Sequence, residues 1–415
     1  MDPRGGSHVP VSVNVLGDWR ATTGLAEAAR RSVSAMVATG ARVSLHTREN
    51  PEVPRSASRF PAALKGLEGG RIGDIDVWYL NVHEFNIVPD SDLRPGAEPR
   101  YVVGSWAWEL PRLAHIFEPQ LERVDEIWVP SRFTAEAFRH HTTKPVRVMP
   151  IPVEPLIDLT LSRSDLGLPE EGCLFLFSFD VNSTMARKNP RAVIQAFEAA
   201  FDAVERHGPV RLVMKTSNLD SSGDLCARLA DEVASVGGVL IDGELSRQEM
   251  DSLIGLCDIY VSLHRAEGFG MGMAEAMALG RPVIATAYSG NTDFMTAANS
   301  APVRFRLRPI TKSDHVEQPS VAPVYEPGQF WAEPDVGHAA EWMRRLWRDP
   351  SLRNRIGRAA AAAVRERYNH ERVSAEMLTR LWELSRGRGD LEHPPERPLA
   401  PTDAARGDSH PGGQA

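Results

Sequence analysis

Short apolar runs alternate along the chain with longer segments in which apolar residues recur at helical spacing. The first unit combines a β-rich run over residues 11–16 with a helical pattern that includes Leu25, Val33 and Met36 and ends near Gly40. Strands of a parallel sheet are buried on both faces and therefore form continuous apolar runs. These runs, together with the strand–helix–strand order, predict a parallel sheet. Its later strands are expected at residues 42–46, 75–80, 101–104, 126–129 and 146–149.

A second series of the same kind begins near residue 173, after a stretch that contains Pro150, Pro152 and Pro155. Two restarts of one pattern predict two Rossmann-like α/β domains, each with a parallel sheet. Helical patterns over residues 339–348, 352–367 and 371–386 close the ordered part of the chain. The strands of the second series are expected at residues 173–178, 210–215, 239–241, 258–263 and 282–286.

Composition narrows the class of protein. Of the 415 residues, 42% are hydrophobic and 25% charged, which excludes a mostly disordered chain. The formal net charge of −8 argues against a protein that coats nucleic acid. No apolar stretch approaches the about 18 residues of a membrane span, and residues 1–10 have no signal-peptide core. Three widely spaced cysteines predict no disulfide framework or zinc cluster and fit a cytoplasmic protein.

The most specific chemical pattern is the Gly- and Glu-rich stretch over residues 265–280, between an expected strand and a helix expected over 271–279. The amides of Phe269, Gly270 and Met271 would be unpaired donors at a helix N-terminus, where the helix dipole favours an anion such as phosphate. Glu275 is expected in the first helical turn. There its carboxylate can accept hydrogen bonds from a vicinal diol such as ribose.

Glu267 and Glu275, separated by seven residues and followed by Ala-Met-Ala-Leu-Gly-Arg-Pro, resemble the E-x7-E signature of retaining glycosyltransferase family 4. The resemblance covers roughly residues 10–385 and implies the GT-B fold, in which two Rossmann-like domains with parallel sheets face a central cleft. It implies that Glu267 contacts the donor sugar and that Glu275 binds the ribose of the nucleotide. The amides at Phe269, Gly270 and Met271 would bind the sugar and the diphosphate.

The family also carries an Arg/Lys pair directed at the diphosphate, after the first strand of its second domain. Lys188 matches the family lysine, in an expected polar loop that also holds Arg187. Phe179 and Asp180 replace the usual Gly-Arg, so Arg187 is the candidate for the arginine role. The predicted catalytic residues are therefore Glu267, Lys188 and Arg187, since cations facing a leaving diphosphate lower the barrier to transfer.

In the first domain, the resemblance places the loop after the first strand near the donor, with Gly17 and Gly24 as backbone contacts. Many family members have a histidine at the end of a central strand, and this chain has none in the matching residues 102–109. The acceptor-side candidates are consequently His83, Trp106, Trp108 and Glu109. The two D-x-D matches at residues 74–76 and 90–92 are read as chance, and no metal ligand is predicted.

The resemblance completes the domain assignment. The expectation is a flexible N-terminus at 1–9, an acceptor domain at 10–155 and a nucleotide-sugar domain at 156–365. A C-terminal helix at 366–386 packs back on the first domain, and residues 387–415 form a disordered tail rich in Gly and Pro.

The predicted function is a metal-independent, retaining hexosyltransferase of bacterial type. It transfers the hexosyl unit of a UDP- or GDP-type sugar to a hydroxyl of a small-molecule, natural-product or glycan acceptor. It needs no cofactor, binds no nucleic acid and acts as a monomer or homodimer, and the Arg-rich helix near 352–367 leaves peripheral membrane contact open. A GT-B sugar-nucleotide epimerase and a non-catalytic nucleotide-sugar-binding protein are the alternatives.

Overall fold

Residues 11–49, 55–56, 59–95, 100–219, 224–315, 324–326 and 328–386 are described by a computed structural model of the chain. The predicted flexible N-terminus, 1–9, and the predicted disordered tail, 387–415, lie outside these residues.

The first domain is built on a parallel sheet of six strands in the order β2-β1-β3-β4-β5-β6. The chain reverses its direction of strand addition between β1 and β3, which opens a crevice at the carboxyl ends of these two strands. The strands are β1 Ser12–Gly17, β2 Arg42–Thr47, β3 Ile75–Tyr79, β4 Tyr101–Ser105, β5 Glu126–Val129 and β6 Val146–Val148. The helices are α1 Gly24–Ala38, α2 Asp90–Leu93, α3 Glu118–Leu121 and α4 Arg132–Arg139.

The second domain is built on another parallel six-stranded sheet, in the order β12-β11-β10-β7-β8-β9. Here the crevice lies between β7 and β10. The strands are β7 Cys173–Asp180, β8 Val210–Ser217, β9 Val239–Ile241, β10 Ile259–Ser262, β11 Val283–Thr286 and β12 Ala301–Val303. The helices up to β12 are α5 Met185–Lys188, α6 Pro190–Ala200, α7 Ala203–Arg206, α8 Asp224–Ser235, α9 Arg247–Leu256 and α10 Met271–Ala278.

An antiparallel hairpin and three helices follow the second sheet. The hairpin pairs β13 Phe305–Pro309 with β14 Phe330–Pro334. The helices are α11 Val336–Arg348, α12 Pro350–Tyr368 and α13 His370–Arg386. Helices α11 and α12 pack on the second domain, whereas Val373, Met377 and Leu381 of α13 are buried in the core of the first domain.

The predicted architecture of two Rossmann-like domains with parallel sheets is confirmed. Two details differ from the sequence-based expectation. Arg187 and Lys188 lie on one helical turn, α5, rather than in a loop, because Thr184 (φ 71°) and Asn189 (φ 57°) turn the chain sharply on either side of it. The β13–β14 hairpin was not expected. Among the residues described, no helix is both long and apolar enough to cross a bilayer.

Candidate active site

A cavity of about 430 Å³ lies between the two domains, at the carboxyl ends of β3, β4, β7 and β10. Loops that leave a parallel sheet at the crevice between its diverging strands converge there, so residues distant in sequence share one site. The first domain contributes Gly24, Asn81 and Glu109 to the lining. The second domain contributes Lys188 and the stretch from Glu267 to Met273.

The glycines after β10 allow a backbone that other residues could not adopt. Gly270 has φ 92°, in the left-handed region. A Cβ at Gly272 would lie 2.5 Å from the Tyr260 hydroxyl, and one at Gly290 would lie 2.1 Å from the Gly268 carbonyl oxygen. Gly270 caps α10 without a side-chain hydrogen bond from the described residues. The first turn of α10 therefore presents amide donors and the positive end of the helix dipole to the cavity, an arrangement suited to an anion.

Glu267 stands beside this helix end, between two cations. Its carboxylate accepts a hydrogen bond from Lys188 Nζ, and its other oxygen lies 3.4 Å from Arg187 Nη1. Its amide donates to Ser289 Oγ at 2.8 Å, which fixes the backbone. Burial raises the pKa of Glu267, but the charges of Lys188 and Arg187 outweigh this effect and lower the pKa to about 2. Glu267 is therefore an anion at neutral pH, and the two cations are held in place for a second anion.

Arg187 reaches across the cleft from α5. It is 4% exposed, donates to the Ala266 carbonyl at 3.0 Å and lies 3.5 Å from Glu109 of the first domain. Burial lowers the pKa of Arg187, but the Glu109 carboxylate, Tyr325 and Glu267 raise it overall. Arg187 consequently remains charged and joins Glu109 to the carboxylate of Glu267.

Glu275 is 2% exposed and lines the cavity as the fifth residue of α10, so it lies past the first turn in which the sequence had placed it. Its carboxylate contacts Arg31 of α1 at 2.6 Å and Arg247 of α9 at 3.0 Å. Arg247 also contacts Asp251. The carboxylate expected to bind a diol is therefore held by one arginine from each domain.

The acceptor-side candidates occupy different environments. Glu109 lines the cavity. Trp106 is 1% exposed, and its ring packs against Phe85 and Phe138 in the core, so its face is not open to a sugar even though its edge borders the cavity.

Trp108 is also buried, and its Nε1 donates to the Arg112 carbonyl at 2.7 Å. His83 is exposed and lies beside Phe117. Neither Trp108 nor His83 is among the described residues that line the cavity. Because both tryptophan rings are core residues and His83 lies outside the cavity, Glu109 is the acceptor-side candidate that the geometry favours.

The last residues of the loop between β1 and α1 contribute to the cavity. Thr23 and Gly24 line it, and a Cβ at Gly24 would lie 3.7 Å from the Met271 side chain. Gly17 is absent from the described lining residues, and a Cβ there would lie 3.3 Å from the Trp19 ring. Gly24 therefore borders the cavity, whereas the small size of Gly17 accommodates Trp19.

Three residues of the site were missed by the sequence analysis. Arg31 and Arg247 lie on helices whose register gives no sign that they meet Glu275. His264 is fully buried behind Glu267, where Nδ1 faces Ser262 Oγ at 3.0 Å and Nε2 faces Asn291 Oδ1 at 3.1 Å. Burial lowers the pKa of His264, so it is a neutral support for the loop. The sequence signal that could have identified His264 is its position two residues after the end of β10.

Comparison with known proteins agrees with this geometry. Residues 163–301 match the family model described as glycosyl transferases group 1. No curated protein matches the chain. Three solved structures with 12–15% sequence identity share its fold.

The sucrose-phosphate synthase of Thermosynechococcus elongatus is 15% identical with a TM-score of 0.62, covering 90% of this chain and 99% of its own. Anabaena HepE, solved with UDP and glucose, is 14% identical with a TM-score of 0.62, covering 90% and 100%. The trehalose-6-phosphate protein of Escherichia coli, solved with bound UDP-2-fluoro glucose, is 12% identical with a TM-score of 0.59, covering 89% of this chain and 98% of its own.

These likenesses establish the GT-B fold for the two domains and the cleft between them. The family match covers β7 to β11 and the α10 glycine loop, where the Glu267 and Glu275 motif lies, and it ends at the first residue of β12. The predicted GT-B fold is thereby confirmed, and residues 163–301, within the second domain, match the family model of the group 1 glycosyltransferases, in agreement with the resemblance drawn from that motif.

Proposed function

We propose that this protein is a retaining, metal-independent glycosyltransferase that moves a hexosyl unit from a nucleoside-diphosphate sugar to an acceptor hydroxyl. One observation carries the proposal. Lys188, Arg187, Glu267 and the N-terminus of α10 meet in one cavity between the domains. Transfer breaks the bond between the sugar and the diphosphate, and the electron pair leaves with the phosphate. Fixed cations and amide donors at that point stabilise the developing negative charge.

In this mechanism the diphosphate lies against the amides of Phe269, Gly270 and Met271, with Lys188 and Arg187 as its cationic partners. Glu267 accepts hydrogen bonds from hydroxyls of the donor sugar, and Glu275 accepts them from the ribose. The acceptor oxygen forms the new bond on the face that the phosphate leaves, and its proton passes to that phosphate. The mechanism needs no metal ion, no cofactor and no protein base. Glu109 lies where an acceptor hydroxyl would be oriented.

The donor base, the sugar and the acceptor are open in this proposal. HepE was solved with UDP and glucose, and the Escherichia coli structure with UDP-2-fluoro glucose. UDP-glucose is accordingly the first donor to test, followed by GDP sugars. The acceptor classes to test are hydroxylated small molecules, natural products and glycans.

The decisive experiment incubates the protein with a panel of nucleoside-diphosphate sugars and follows release of nucleoside diphosphate, with and without acceptors. A transferase releases diphosphate slowly with water and faster with its acceptor. An epimerase would interconvert sugars and keep the nucleotide intact. A binding protein would be stabilised by one nucleotide and release nothing.

Matched variants test whether turnover depends on the cavity between the domains. Lys188→Ala is expected to lower turnover about 100-fold, as for other residues that stabilise a leaving group's charge. Arg191→Ala, three residues away and paired with Glu232 on the surface, serves as the control and leaves turnover unchanged. Equal rates for wild type and Lys188→Ala, with diphosphate release intact, would overturn the assignment of Lys188.

A further inference from the structure

A second cluster of chemically capable side chains lies away from the cleft. His115 occupies the turn that precedes α3, Glu118 is the first residue of α3, and His141 follows the end of α4. Glu118 Oε1 lies 2.8 Å from His115 Nδ1 and 2.6 Å from His141 Nδ1. One ligand atom from each residue falls within 4.8 Å of the other two.

The chemistry of this cluster is that of a transition-metal site. Two imidazole nitrogens and one carboxylate oxygen form a donor set that Zn²⁺ prefers, at bond lengths of about 2.0–2.2 Å. His141 Nε2 is buried without a hydrogen-bond partner among the described residues, so the Nδ1 contact fixes the ring toward Glu118. The His141 side chain is 8% exposed, whereas that of His115 is 76% exposed, so the cluster is open to solvent on the His115 side.

The cluster borders a contact with the second domain. Glu326 Oε1, in the connection between β13 and β14, accepts a hydrogen bond from the His115 amide at 3.0 Å. Gln329 of the same connection donates to the Arg112 carbonyl at 2.8 Å, which holds the hairpin against the first domain. The backbone of His115 is therefore held from the second domain, while its side chain faces Glu118. None of the described lining residues of the cleft belongs to the cluster.

We propose that His115, Glu118 and His141 bind a divalent cation of the Zn²⁺ type. The ion joins the turn before α3 to the end of α4 and takes no part in transfer. The site is independent of the function proposed above, because it uses other residues and a different ligand. The sequence gives only a weak signal for this site, since His115 and His141 are 26 residues apart.

The test is a calorimetric titration of Zn²⁺ alone into the full-length, untagged protein after removal of metal with a chelator. The expected result is one equivalent bound at micromolar concentration or tighter, with a rise in the thermal midpoint. His115→Ala, at an exposed position, weakens binding at least about tenfold and abolishes that rise.

The control is His140→Ala, which removes an exposed histidine adjacent to the cluster and leaves Zn²⁺ binding unchanged. Glu118→Gln provides a second variant that keeps the size of the side chain. Binding only at millimolar concentration, or equal affinity in wild type, His115→Ala and Glu118→Gln, would overturn the proposal. Donor hydrolysis measured on the same variants separates this site from the cleft, because it is expected to be unchanged.

Discussion

At the scale of the residue, the site is organised by buried carboxylates that are each held by two cations. Glu267 is paired with Lys188 and Arg187, and Glu275 is paired with an arginine from each domain. Three of these four cations also contact a further carboxylate, since Arg187 contacts Glu109, Arg31 contacts Glu27 and Arg247 contacts Asp251. The charges of Lys188 and Arg187 lower the pKa of Glu267, which makes its pairing accessible to measurement.

The pKa of Glu267 predicts an acid-dependent part of the stability. The group titrates near 4.5 in the unfolded chain and at about 2 in the folded protein. Since the unfolded state binds the proton first as the pH falls, Glu267 stabilises the fold above about pH 4.5. This contribution is lost progressively between about pH 4.5 and pH 2.

Denaturant unfolding at about pH 7, 5 and 3.5 checks this prediction. The free energy of unfolding of wild type should fall more steeply with acid than that of Glu267→Gln. Glu232→Gln, at a surface ion pair, is the control and should follow wild type. Parallel curves for wild type and Glu267→Gln would show that the carboxylate is not held by its two cations.

At the scale of the element, the apolar runs predicted both sheets because parallel strands are buried on both faces. The β13–β14 hairpin lacked that signal. Phe305 and Leu307 are 37% and 55% exposed, so β13 forms no buried run, and its partner β14 follows only after a long connection. Glu267, Glu275 and Lys188 could be predicted because they lie in one recognisable motif or loop. Arg31 and Arg247 could not, since only the tertiary fold brings them to Glu275.

Helix α13 is joined to the first domain by a buried ion pair. Arg380 is 3% exposed and contacts Glu126 of β5, which is fully buried. Arg380→Ala should destabilise the protein by about 3–5 kcal/mol, because it removes the main counter-charge of a buried carboxylate.

The control is Arg372→Ala on the same helix, whose exposed pair with Glu376 at 3.5 Å should be worth about 0–1 kcal/mol. Urea unfolding of both variants gives the comparison. Similar losses of stability in the two variants would mean that the buried pair does not anchor α13.

At the scale of the whole molecule, polar contacts hold the two domains together across the cleft. Arg31 contacts Glu275 at 2.6 Å, and Arg59 contacts Glu244 at 2.9 Å. Ser131 donates to the Gly268 carbonyl at 2.5 Å. The cleft described here is therefore closed by contacts that a bound donor would have to replace or rearrange.

Removal of Arg31 and Arg59, two of the arginines that contact the opposite domain, should favour an open arrangement. The double variant Arg31→Gln, Arg59→Gln is expected to have a larger radius of gyration than wild type in small-angle scattering without ligand. The exposed Arg42→Gln variant of the first domain is the control. Identical scattering from the double variant and wild type would show that other contacts keep the cleft closed.

We propose above that the cavity between the domains binds the diphosphate of an activated sugar at the N-terminus of α10. A crystal structure of the protein with a bound nucleoside-diphosphate sugar would locate the diphosphate. We expect its density against the amides of Phe269, Gly270 and Met271, with Lys188 Nζ in hydrogen-bond contact. A diphosphate bound elsewhere, or a cavity that stays empty at saturating ligand, would contradict it.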